Sequence, residues 1–195
     1  MKNISVLVSG GGTNLQALID AQKSGIITSG KINLVISNNP DAYALTRAEN
    51  VGIKTAVCNK KELGADFEDT LIKILEENNT DVIVLAGFMC ILSEKFTSHF
   101  ANRIINVHPS LIPSFCGKGF YGLHVHEAAL EYGVKVTGAT VHFVNEIPDG
   151  GKIIMQKAVE IKENDTPETL QKRVMEEAEW KILPLSLEKV CKGDF

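Results

Sequence analysis

Apolar positions fall in short dense runs, and the runs alternate with stripes of helical spacing. Residues 4–8 and 31–37 are apolar runs of strand length, 53–57 is a shorter one, and 81–87 is nearly continuous. A run with no polar alternation is typical of a parallel strand covered on both faces. Between these runs, residues 15–20 and 42–50 have helical spacing. Residues 67–78 carry Phe67, Leu71, Ile72, Ile74 and Leu75 on one helical stripe. The order βαβαβαβ predicts half of a doubly wound sheet with right-handed crossovers.

The second half changes character. A short helix is expected from Ser93 to about His99, and a fifth strand through Arg103, Ile104 and Ile105 into Asn106 and His108. Residues 114–121 form a glycine-bearing loop, and a helix is expected over 128–132. Residues 135–144 and 152–161 read as strands joined by a turn, an antiparallel pair at the sheet edge. Thr166 and Pro167 start a last helix through Val174, Ala178, Trp180 and Ile182, with Pro184 expected to interrupt it before residues 185–190. No repeat, linker or low-complexity stretch divides the chain. The expectation is one α/β domain over residues 1–195: a Rossmann-like, mostly parallel sheet with an antiparallel edge hairpin and helices on both faces.

Composition narrows the function classes. The 195 residues are 44% hydrophobic and 23% charged, as in ordinary globular proteins, and the net charge is −4. Lysine and arginine are scattered, which argues against nucleic-acid and membrane-surface partners but permits a small anionic ligand. No apolar run approaches the ~20 residues of a spanning helix, and the N-terminus lacks the pattern of a signal peptide. A cytoplasmic protein is expected. Cys58, Cys90, Cys116 and Cys191 lie far apart with no CxxC spacing, so neither a metal cage nor a disulfide frame is suggested.

Three stretches carry candidate chemistry. Strand one runs into Ser9-Gly10-Gly11-Gly12-Thr13-Asn14 and then a helix. Glycines expose backbone N–H groups, and a helix N-terminus adds donors and partial positive charge, a cradle for one phosphate. Thr13 or Asn14 could cap that helix. The loop has neither a GK[ST] nor a third glycine at GxGxxG spacing. Asn106-Val107-His108-Pro109-Ser110-Leu111-Ile112-Pro113 sets an amide and an imidazole two residues apart, hence on one face of a strand, with prolines ending the ladder. Phe88-Met89-Cys90-Ile91-Leu92 could be core or the wall of a slot for a flat ligand. His124 and His126 lack an evident third metal ligand. Asp149 sits in an Asp-Gly-Gly turn, yet it can approach the carboxyl ends of the strands. A carboxylate beside His108 is expected to raise its pKa and suit it to proton transfer. With an amide to donate to an oxyanion and no activated nucleophile, the set fits direct acyl transfer between two bound substrates.

The chain resembles the folate-dependent phosphoribosylglycinamide formyltransferases of purine synthesis. The similar segments are residues 9–16, 84–89, 106–113, 138–144 and 149–151, in order along nearly the whole chain. The resemblance implies transfer of formyl from 10-formyltetrahydrofolate to the amine of glycinamide ribonucleotide, by a monomer or homodimer with no metal. By the same resemblance Asn106, His108 and Asp149 match the catalytic trio. Gly12, Thr13 and Asn14 match the phosphate loop, and Glu179 the acidic residue that meets the ribonucleotide, with the register over 176–179 open by one position. Met89, Cys90, Ile91 and Leu92 match the folate-lining segment, joined by Asn106. Asn145, Glu146, Ile147, Pro148 and Asp149 match the loop over the pterin. The N-terminal half would thus bind the phosphate and the C-terminal half complete the folate site. Cys90 departs from the basic residue often found after that methionine, and Lys60 or Lys61 is a candidate basic residue near the folate. Substrate contacts in residues 114–121 do not carry over.

Rival readings share parts of this pattern. A formyl-folate hydrolase would use the same trio but usually carries an N-terminal regulatory domain. A methionyl-tRNA formyltransferase would want a basic C-terminal domain. A non-enzymatic nucleotide-binding module would need the glycine loop alone.

Overall fold

The computed structural model describes all residues, 1–195. Seven strands form one sheet in the order β3-β2-β1-β4-β5-β6-β7. They are β1 (Lys2–Val8), β2 (Gly30–Ser37), β3 (Lys54–Val57), β4 (Val82–Leu85), β5 (Ile104–His108), β6 (Val136–Phe143) and β7 (Ile153–Glu160). The pairings from β3 through β5 are parallel, and β6 is antiparallel to both β5 and β7. The helices are α1 (Thr13–Lys23), α2 (Tyr43–Glu49), α3 (Lys60–Leu63), α4 (Phe67–Glu77), α5 (Glu94–His99), α6 (Leu123–Tyr132), α7 (Pro167–Val174) and α8 (Trp180–Lys192).

Strand parity explains both cores. Ile4, Val6 and Val8 of β1, Val82 and Val84 of β4, and Ile105 and Val107 of β5 face one side. There they bury Leu15 and Leu18 of α1, Ala44 and Ala48 of α2, and Leu183 and Leu187 of α8. Leu7, Ile83, Leu85 and Ile104 face the other side against Phe67, Leu71 and Leu75 of α4 and Phe96 and Phe100 of α5. Each such large side chain contributes ~1.5–3 kcal/mol by leaving water. The same parity turns Asn106 and His108 away from the first core, and so it does Thr140 and His142 on the neighbouring β6.

Three local expectations change. The helix expected over 128–132 starts earlier, at Leu123. Its N-cap is Gly122, whose positive φ of 54° lets the chain turn in. Thr13 and Asn14 do not cap α1: the N-cap is Gly12, and no side chain closes that end. Pro184 does not break the last helix but lies buried inside α8. A single π turn, Met175–Glu179, joins α7 to α8, so the three elements run on from one another. Packing of Leu183 and Leu187 in the first core holds α8 together despite the donor that proline lacks.

The carboxylate of Glu188 ties α8 to the segment before β2. It accepts from the backbone N–H groups of Thr28 and Ser29 and from both hydroxyls, at 2.8–3.0 Å. Burial pushes this carboxyl up, but the four donors outweigh it and hold the group at about 2.

Candidate functional site

The sheet reverses its winding between β1 and β4, and ligands of open α/β sheets bind in that crevice, beyond the carboxyl ends of the strands. A cleft of about 620 Å³ opens there. The loops leaving β1 and β4 are tied together by the Met89 N–H, which donates to Ser9 Oγ at 2.8 Å.

Asn106 and His108 reach the cleft from β5, and Asp149 from the turn after β6. Asp149 has φ 57°, a left-handed conformation that aspartate tolerates better than most residues. Gly151 is required two positions on, because a Cβ there would lie 1.7 Å from the Phe143 carbonyl oxygen. The Gly117 N–H donates to Asp149 Oδ2 at 2.8 Å. Asp149 Oδ2 stands 3.5 Å from His108 Nδ1, and Oδ1 stands 3.5 Å from His142 Nε2. Burial raises the Asp149 carboxyl, but His142, His108 and Gly117 together bring it below the usual range.

The expectation that His108 would be raised does not hold. Burial lowers it, and the opposing pull of Asp149 and of the Phe115 carbonyl is the weaker effect. His108 Nε2 stands 2.8 Å from the Phe115 carbonyl and must carry the hydrogen to donate there. Neutral His108 is therefore the Nε2–H tautomer, with the Nδ1 lone pair toward Asp149. A substrate that uses Nε2 has to displace the Phe115 carbonyl.

His142 belongs to this cluster, and the sequence reading did not single it out as a site residue. It lies directly opposite Asn106 in the β5–β6 ladder. Its Nδ1 donates to the Phe143 carbonyl at 2.7 Å, and its Nε2 stands between Asn106 Nδ2 at 3.3 Å and Asp149 Oδ1 at 3.5 Å. The signal was present: Thr140 and His142 repeat on β6 the polar spacing of Asn106 and His108.

The phosphate-loop candidates gather at one end. Gly12 has φ 73°, and a Cβ on it would meet the Ala44 Cβ at 2.6 Å. The Ala44 N–H donates to the Gly10 carbonyl and Arg47 Nε to the Gly11 carbonyl, so α2 braces the loop from behind. Asn14 lines the cleft, whereas Gly12 and Thr13 do not, and Thr13 turns its hydroxyl to Met175 Sδ at 3.8 Å. Glu179 is buried in the π turn and lines the cleft, while Glu176 and Glu177 are exposed and do not line it. Burial pushes the Glu179 carboxyl up to about 7, against the single hydrogen bond from Asn14 Nδ2 at 2.7 Å.

Of the folate-segment candidates, Met89, Cys90, Ile91 and Leu92 all line the cleft. Met89 and Ile91 are 57% and 69% exposed, so they are not core. Asn145, Glu146 and Pro148 line it too. Ile147 does not, and packs beneath Gly150 instead. Lys60 and Lys61, at the start of α3, stay outside the cleft as well, and Lys60 lies over the Phe67 ring. His124 pairs with Glu127 on the surface, whereas His126 is buried at the cleft wall with no protein partner for either nitrogen.

The family model described as formyl transferase matches residues 2–187. The chain belongs to the formyl transferase family. Phosphoribosylglycinamide formyltransferase of Haemophilus influenzae is 45% identical over 195 residues, which are 99% of this chain and 89% of that protein. The human trifunctional purine biosynthetic protein adenosine-3 is 46% identical over 192 residues. This chain covers 97% of itself in that match but spans only 18% of the trifunctional protein. Among solved structures, glycinamide ribonucleotide transformylase 1 from Symbiobacterium toebii superposes with a TM-score of 0.92 at 40% identity, covering 99% of this chain and 89% of that one. The single α/β domain with its seven-stranded, mostly parallel sheet is thus a formyl transferase fold.

Proposed function

We propose that this formyl transferase moves a formyl group from 10-formyltetrahydrofolate to the amine of 5'-phosphoribosylglycinamide, giving formylglycinamide ribonucleotide and tetrahydrofolate in purine synthesis. The observation that carries the reading is the convergence of Asn106, His108 and Asp149 in one cleft, between a braced glycine loop and an apolar wall. The protein works in the cytoplasm on small-molecule substrates. The N-terminal half takes the ribonucleotide phosphate on the uncapped start of α1, and Glu179 takes the sugar. The C-terminal half completes the folate slot against Met89, Cys90, Ile91 and Leu92.

The amine nitrogen attacks the formyl carbon, and the carbonyl pair of electrons moves to oxygen. Asn106 Nδ2–H and the Nε2–H of neutral His108 donate to that oxyanion once Phe115 has moved aside. Asp149, held ionised, receives the amine proton, directly or through one water, and shares it with His108 Nδ1. The carbon–nitrogen bond to the folate then breaks, and the same proton passes to the folate nitrogen.

The test is a direct assay of purified protein with 10-formyltetrahydrofolate, with and without glycinamide ribonucleotide. Formylated ribonucleotide that appears only with both substrates supports the reading. Fast release of free formate without the acceptor overturns it in favour of a hydrolase.

A further inference from the structure

From Gly10 to Leu15, six consecutive backbone N–H groups have no acceptor in the protein. Gly10, Gly11 and Thr13 are exposed, and a Cβ on Gly10 or Gly11 would meet nothing within 4 Å. The loop thus stands open at the rim of the cleft, next to Asn14 in its wall. The glycine carbonyls, by contrast, are all taken. Gly10 O accepts from the Ala44 N–H at 3.0 Å, Gly11 O from Arg47 Nε at 2.8 Å, and Gly12 O from the Gln16 N–H at 2.9 Å. A planar trans peptide points its C=O and its N–H in opposite directions. Fixing these carbonyls against α2 and the first turn of α1 turns the N–H groups of Gly11, Gly12 and Thr13 the other way. Successive N–H groups beside a left-handed residue, here Gly12 at φ 73°, make a concavity for an anion.

Only one of the three pins is a side chain. Arg47 Nη1 also donates to Gln16 Oε1 at 3.0 Å, and the guanidinium lies 4.9 Å from the centre of the Tyr43 ring. It forms no ion pair with any carboxylate. The peptide it holds lies between two glycines, which resist rotation less than any other pair of residues. Released and turned over, that peptide would present its carbonyl oxygen to the anion in place of an N–H. A charged donor on the carbonyl also polarises the peptide and strengthens the N–H at its other end.

Resting on the function proposed above, we infer that Arg47 is a positioning residue for the 5'-phosphate of the amine substrate. From behind the glycine loop it holds the Gly11–Gly12 peptide with its N–H toward the phosphate. It acts through that peptide, because its Nε is spent on the carbonyl side.

The experiment compares wild type with Arg47→Met and Arg47→Lys, and uses Gln16→Met to loosen the guanidinium without removing it. Calorimetry with ribose 5-phosphate measures the phosphate site apart from catalysis. Steady-state kinetics use glycinamide ribonucleotide and its phosphate-free ribonucleoside. Arg47→Met is expected to weaken ribose 5-phosphate and raise the ribonucleotide KM about tenfold, the scale of one hydrogen bond from a charged donor. The loss is confined to phosphorylated ligands: kcat, the folate KM and kcat/KM for the ribonucleoside stay within twofold. Arg47→Lys and Gln16→Met should each show a smaller loss in the same direction. Equal ribose 5-phosphate affinity in wild type and Arg47→Met overturns the inference. So does a parallel fall for the ribonucleoside, which a merely structural arginine would cause. If Arg47→Met fails to fold, wild-type ribose 5-phosphate affinity in Gln16→Met overturns it instead, and a loss confined to phosphorylated ligands supports it. Wild type that binds ribose 5-phosphate through the Arg47-held loop but does not formylate the ribonucleotide refutes the proposed function and leaves the positioning role intact.

Discussion

Asp149 Oδ2 lies 3.5 Å from His108 Nδ1, although 41 positions and a reversal of strand direction separate the residues along the chain. The contact is longer than a hydrogen bond: in the Nε2–H tautomer Nδ1 and the ionised carboxylate are both acceptors, and they bond only when a proton arrives between them. Asp149→Asn keeps the turn, since asparagine also tolerates the left-handed backbone. It removes the proton acceptor and the group that holds His108 up against burial. Turnover should fall about 10²–10⁴-fold, the usual scale of lost acid–base catalysis. The acid limb of kcat/KM should move to lower pH, because His108 without the carboxylate sits lower still. Near-normal turnover with an unchanged profile would remove Asp149 from the mechanism.

His142 acts on Asn106. With Nδ1–H committed to the Phe143 carbonyl, Nε2 can only accept from the amide unless it is protonated, and so it orients the Asn106 side chain. His142→Phe should lower kcat about tenfold with little change in either KM, as for an interaction that matters most in the transition state. His142→Gln, which can still accept from the amide, should recover part of it. Equal losses in kcat for the two variants would mean that His142 only fills space.

Gly12 tests the phosphate end separately. A methyl at this position meets the Ala44 Cβ at 2.6 Å, and the backbone is left-handed, so Gly12→Ala must shift the loop that α2 braces. The ribonucleotide KM should rise at least tenfold while folate binding, followed by fluorescence quenching, stays within twofold. Loss of folate affinity as well would show that the loop supports the whole cleft. The double variant Gly12→Ala/Ala44→Gly removes the clash with the Ala44 methyl but keeps the residue-44 Cα at 2.9 Å and the backbone strain, and should recover only part of the binding.

These residues also show what the sequence could and could not reveal. Apolar runs and helical stripes located all seven strands: β1, β2, β4, β5 and β6 are largely buried and each stripe faces a core, while the edge strands β3 and β7 are mostly uncovered yet keep short apolar runs. The spacing of Asn106 and His108 placed both on one face, since the strand period is two. Partners across strands depend on register, which no single strand encodes, and so the pairing of His142 with Asn106 was not legible in residues 135–144 alone. The direction of the His108 shift depended on burial at the cleft floor, a tertiary quantity invisible next to a nearby carboxylate. Ile147 was assigned to the folate loop by resemblance to a segment, but the turn's own hydrogen bond, Ile147 N–H to Asn145 Oδ1, lies where Ile147 points out of the cleft. Pro184 obeyed packing rather than propensity.

His126 gives a prediction about stability rather than rate. The ring is fully buried, neither nitrogen has a protein partner, and burial with the nearby His108 pushes its pKa down to about 4. The folded-state value lies below the unfolded one of about 6.5. The unfolded chain therefore binds the extra proton first as pH falls. Above pH 6.5 the group leaves stability unaffected, and between about 6.5 and 4 it makes the fold progressively weaker. His126→Leu removes this loss and the two unpaired nitrogens at nearly equal volume. Urea unfolding should find the variant at least as stable as wild type at pH 7.5, with its advantage growing by about 2 kcal/mol at pH 5. Parallel stability curves for the two proteins across that window would mean that His126 is partnered in solution, by water or by the loop that covers it, and titrates normally.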